Sequence, residues 1–97
     1  MLANEERIMN LLKEVYDPEL GINIVDLGLI YEIKEEVDRL YVKMTLTTAG
    51  CPMHDTIKSA VEWVLKDEKP IVEVDVVFEP SWEPQLMSDW AKSMLGF

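Results

Sequence analysis

Apolar positions recur along this chain with two periods, three to four residues in some stretches and two in others. Between Glu5 and Tyr16, Ile8, Leu11, Leu12 and Val15 fall at helical spacing and make one apolar stripe. Asn4 stands where an N-cap belongs, and Glu5 and Glu6 suit the positive end of the helix dipole. Pro18 disfavours helix at Asp17, so this helix is predicted to stop near Tyr16. Asp17 to Gly28 reads as a structured loop. It holds Pro18, Gly21 and Gly28, yet also Leu20, Ile22, Ile24, Val25 and Leu27, so it should pack onto the body of the protein. Asp26 is placed to cap a short helical turn inside it.

The period then changes to two. Leu29 to Lys34 alternates, with Leu29, Tyr31 and Ile33 on one face. Leu40 to Thr47 alternates more cleanly, with Leu40, Val42, Met44 and Leu46 inward and Tyr41, Lys43, Thr45 and Thr47 outward. The polar turn through Glu36 and Asp38 makes these two runs an antiparallel hairpin. Helical spacing returns at Ile57, Ala60, Val61 and Val64, in a helix that Pro52 opens and Pro70 follows. Trp63 falls off that stripe and is a candidate for exposure at an interface. Ile71 to Phe78 is a third strand, with Val72, Val74, Val76 and Phe78 on one face. A last helix is predicted from near Pro84, carrying Leu86, Trp90, Met94 and Leu95, with Gly96 as its stop. The order is α-β-β-α-β-α, an α/β (α+β sandwich) fold with a three-stranded mixed sheet and helices packed on it. The crossover between the second and third strands is expected to be right-handed. Residues 1–97 form one domain, without repeat or linker.

Charge narrows the partners. There are 19 acidic and 9 basic residues, for a formal net charge of -10. Phosphate binding needs clustered Lys and Arg, so nucleic acid is not an expected partner, nor is an anionic membrane surface. A basic protein or a bound cation suits this field better. No apolar run approaches the length that spans a bilayer, and the N-terminus lacks the basic and apolar regions of a secretory signal. One cysteine cannot close an intramolecular disulfide, which fits a reducing compartment, and the expected location is the cytoplasm.

The sharpest local feature is Thr47-Thr48-Ala49-Gly50-Cys51-Pro52-Met53-His54. Proline at a first helical position would make Cys51 the N-cap, where unpaired N–H groups and the dipole favour thiolate. The sulfur is then either a reactive or metal-binding group, or a small inert apolar residue filling a helix start. His54, one turn on, is a base or second ligand, or simply an exposed polar residue. One Cys and one His fall short of a closed tetrahedral zinc site. Asp17, Glu19 and Asp26 offer carboxylates that could coordinate iron, against a plainer role in turn chemistry. Trp82 could cover the thiol site or form a partner surface, and is equally a candidate core anchor. In a non-catalytic adaptor Trp82, Met87 and Trp90 would form the partner surface and matter more than the thiol.

Taken together, several stretches resemble the SufT/PaaD-like family of metal–sulfur cluster biosynthetic proteins, which is related to a targeting component of the eukaryotic cytosolic iron–sulfur machinery. They are Asp17-Pro18-Glu19-Leu20-Gly21, Asn23 through Tyr31, Thr45-Leu46-Thr47-Thr48 with Gly50-Cys51-Pro52-Met53, Trp82 through Met87, and Leu95-Gly96-Phe97. The resemblance implies a factor for iron–sulfur cluster assembly, maturation or transfer. Cys51 falls on the family's characteristic cysteine, and Asp17, Glu19 and Asp26 on its acidic positions. It implies iron or an iron–sulfur cluster bound transiently, with client or scaffold proteins of iron–sulfur assembly as partners. A homodimer would supply two thiols. The alternatives are a non-catalytic adaptor for an oxygenase or client complex, as PaaD-like members suggest, and a thiol redox protein. Pro80-Ser81-Trp82-Glu83 departs from the family's Pro-Pro-Trp-Thr or Pro-Pro-Trp-Ser, and His54 is not a fixed family feature.

Overall fold

The computed structural model describes residues 2–18, 20–47 and 54–96, with side chains from residue 6 onward and, after the second gap, from residue 56. Its elements are α1 (Leu2–Leu12), β1 (Tyr16–Asp17), β2 (Ile22–Asn23), β3 (Ile30–Glu35), β4 (Arg39–Met44), α2 (His54–Leu65), β5 (Ile71–Val76), a 3-10 turn Pro84–Leu86, and α3 (Asp89–Leu95). The main sheet has the order β3-β4-β5. β3 and β4 pair antiparallel, with an irregularity between Ile30 and Glu32. β4 and β5 pair parallel, from Arg39 opposite Ile71 to Met44 opposite Val76. This is the predicted mixed α+β architecture with three principal strands and three helices.

The alternation in β4 explains the sheet's polarity. Leu40, Val42, Met44 and Leu46 are buried, as their period of two requires. The opposite face carries an Arg39–Glu73 ion pair and a hydrogen bond from the Tyr41 hydroxyl to Asp75 Oδ2 at 2.9 Å. These pairs lie on solvated surface, where each contributes little to stability. α2 packs on β5, and α1 packs on α2. Ile8 and Leu12 from α1 and Ile57, Val61 and Leu65 from α2 join the sheet's inner face in one core.

Four expectations need correction. α1 starts at Leu2, so Asn4 lies inside it rather than at its cap, and it ends at Leu12 rather than near Tyr16. Pro18 sets only the latest point at which a helix can stop; the chain leaves it earlier, and Val15 is buried from the link between α1 and β1 instead. Thr45 is fully buried although its register pointed outward. The last helix is split. Pro84 opens only a 3-10 turn, Met87 is extended, and α3 begins after Ser88, whose hydroxyl accepts from Ala91 N at 3.2 Å. Ser88 is the stronger start signal, because a serine oxygen satisfies an N–H that a helix end leaves unpaired. The Gly96 stop is where it was predicted, with φ of 81°.

Candidate functional site

The loop between α1 and β3 is shaped by two acidic turns. β1 and β2 form a two-residue antiparallel pair, Tyr16 opposite Asn23 and Asp17 opposite Ile22, which the periodicity did not predict. Asp17 is buried at the end of β1. Its carboxylate accepts from Leu20 N at 3.2 Å and its carbonyl from Gly21 N at 2.8 Å. Gly21 holds φ of 70°, the left-handed conformation this turn requires. Glu19 lies outside the described residues.

The second turn runs from Asn23 to Gly28. Asn23, not Asp26, is its cap: Asn23 Oδ1 accepts from Asp26 N at 2.9 Å. Asp26 reciprocates, its Oδ2 accepting from Asn23 Nδ2 at 2.6 Å. That hydrogen bond is the main reason the Asp26 carboxyl sits below its ordinary pKa, helped by the Ser88 side chain and the charge of Lys13 against partial burial. A carboxylate with a lowered folded pKa stabilises the protein above its unfolded value near 3.8, and that stabilisation is lost as pH falls through the folded value. Asp26→Asn should therefore be less stable than wild type at pH 6. The gap in urea midpoint should close as the pH drops below about 4. A gap unchanged between pH 6 and pH 3 would contradict this account.

A C-terminal segment is fastened along this turn. The Tyr31 hydroxyl donates to Pro80 O at 2.8 Å, and Trp82 Nε1 donates to Leu27 O at 2.6 Å. Ser88 N donates to Asp26 O at 2.8 Å. Gly28, at φ of 79°, lies so close to the Leu86 backbone that a Cβ there would overlap its carbonyl. Trp82 is thus a half-buried anchor, and Met87 is buried. Of the three residues expected at a partner surface, Trp90 alone is exposed. Sequence reasoning missed Tyr31 and Gly28 as the attachment points of this C-terminal strap; the glycine itself was the available signal.

The hairpin brings the loop and the end of β4 together. Thr45 N donates to Leu29 O at 2.8 Å, so the residue entering β3 and the residue leaving β4 are bonded. The strand then leads through Leu46 and Thr47 toward the cysteine-bearing segment. Cys51 itself, its N-cap role and its nearness to Asp17, Glu19 and Asp26 lie outside the described residues, as does the His54 side chain. Among the described residues, no group of three His, Cys, Asp or Glu side chains is placed to hold a metal ion.

A family model described as iron–sulfur cluster assembly protein matches residues 5–76, which include both acidic turns, the hairpin and the cysteine. The chain belongs to the iron–sulfur cluster assembly protein family. A similar curated relative is the Fe-S protein maturation auxiliary factor YitW of Bacillus subtilis (strain 168), 43% identical over 97 residues, covering 97% of this chain and 95% of the relative. Another is the Fe-S protein maturation auxiliary factor SufT of Staphylococcus aureus (strain USA300), 45% identical over 85 residues, covering 84% of this chain and 97% of the relative. Among solved structures, a domain of unknown function, DUF59, from Bacillus anthracis superposes with a TM-score of 0.89 at 41% identity, covering 98% of this chain and 93% of that one. The fold of this assembly-family chain is therefore that of the DUF59 domain.

Proposed function

We propose that this chain is an iron–sulfur protein maturation factor that holds iron or a cluster transiently on Cys51 and passes it to a client in the cytoplasm. The observation that carries the reading is the family match over residues 5–76, within which Cys51 is the single thiol. The relatives' names, Fe-S protein maturation auxiliary factor, support the same role. The Leu29–Thr45 bond supports a site at the end of the sheet where the acidic loop and the outgoing strand meet. In this proposal Cys51 supplies the thiolate, and Asp17, Glu19 and Asp26 supply carboxylate charge and oxygen donors near it.

One thiol per chain cannot fill a cluster's four cysteine positions. The remaining ligands come from a second copy, a small thiol or the client, and incomplete ligation suits a factor that must release its cargo. Carboxylates beside an empty thiol disfavour thiolate, and a bound cation reverses their effect, which couples thiol ionisation to loading.

The test compares wild type with Cys51→Ser after identical anaerobic reconstitution with iron and sulfide. Iron content and visible absorbance should fall to background in Cys51→Ser, while circular dichroism stays that of wild type. Equal loading in two folded proteins would sink the role of Cys51 and leave the adaptor reading in front.

A further inference from the structure

α3 has one face in the core and another in solvent. Ala91 is fully buried, and Leu95 is half-buried against the core. Trp90 and Met94, one turn apart, are 53% and 63% exposed, and Leu86, in the turn before α3, is 45% exposed. Two large apolar side chains on one exposed face are the kind of anchor that protein interfaces bury. The segment that carries them, residues 79–96, is acidic. Glu79, Glu83 and Asp89 are all exposed, whereas Lys92, the single basic residue between positions 79 and 96, is half-buried.

That charge decides between occupants. A second copy of a chain with a net charge of -10 would bring like charge against like charge. An acidic partner meets the same repulsion, and a phosphate backbone more of it. The geometry points to a docking surface on α3 for a segment of the recipient protein in which Lys or Arg flanks an apolar anchor. The anchor packs between Trp90 and Met94 while the basic groups meet Glu83 and Asp89. Naming the partner a recipient rests on the maturation reading above; the surface itself does not depend on the thiol.

The test uses the full chain, labelled with nitrogen-15. The probe is a synthetic amphipathic helix of leucine and lysine, and its control is the same peptide with glutamate in place of lysine. The lysine peptide should shift α3 amide resonances and bind more weakly as salt rises, and the glutamate peptide should not bind. The double variant Trp90→Ser/Met94→Ser, checked for folding by circular dichroism, should lose at least about tenfold in affinity for the lysine peptide. Cys51→Ser should bind the peptide as wild type does. Undiminished binding by the double variant overturns the proposal, because attraction to net charge alone would then account for binding. A wild-type dimer in sedimentation that the same double variant dissociates also overturns it, since a second copy would own the surface. Iron loading reads the thiol separately, so loss of the docking surface and loss of the thiol role are distinguishable.

Discussion

Gly28→Ala is expected to cost about 2–4 kcal/mol, the sum of forcing a side chain into the left-handed region and overpacking a tight contact. Gly28 has φ of 79°, and its added Cβ would meet the carbonyl oxygen, carbonyl carbon and Cβ of Leu86. Two of these are main-chain atoms, so a rotamer change cannot relieve the overlap and the C-terminal segment must lift. Gly21→Ala is the matched control. Its φ is 70°, but an added Cβ has nothing within 4 Å, so it should lose only about 1 kcal/mol. Urea denaturation of both variants measures the difference. Equal losses would mean that Leu86 does not press on Gly28 in solution.

Leu27→Ala should cost about 3 kcal/mol, within the range for emptying a fully buried leucine site. That is a large share of the roughly 5–15 kcal/mol available to a domain of this size. Leu27 belongs to a turn, yet it is 0% exposed and its carbonyl takes the Trp82 indole hydrogen bond. Truncating it leaves a void under that bond. Leu20, in the neighbouring turn and 36% exposed, is the comparison: Leu20→Ala should stay within about 0.5 kcal/mol of wild type. A Leu27→Ala loss as small as that of Leu20→Ala would show that the turn is not part of the core.

The sheet was legible because burial on one face imposes a period of two. Leu40, Val42, Met44 and Leu46 state that period without interruption, and the polar turn at Glu36 and Asp38 leaves the hairpin as its simplest reading. The crossover to β5 followed from the helix between them. The two-residue strands were not legible, since pairs that short carry no period, and only the turn at Gly21 betrays them. Thr45 was misplaced because alternation assigns faces and not burial, and a residue on the outer face can still be covered, as Thr45 is. Trp63 was legible as an outlier from its helix stripe, and it is 69% exposed. For the site, the acidic turns were visible as residues but not as bonds. The reciprocal pair of Asn23 and Asp26 needs the turn geometry that brings the two side chains face to face. Cys51 stands out by its motif alone, and it lies outside the described residues.

The strap that crosses the Asn23–Gly28 turn lies beyond the residues the family pattern covers, which end at position 76. It also lies late in synthesis. Leu86 and Ser88 follow Gly28 and Asp26 by about sixty residues, so a ribosome adding 5–20 residues per second leaves the turn uncovered for roughly 3–12 s. Throughout that interval the Leu27 carbonyl lacks its Trp82 hydrogen bond and Gly28 lacks the Leu86 backbone that later packs on it. The nascent chain therefore carries an open patch beside Asp26 for those seconds, a window in which a chaperone can hold it.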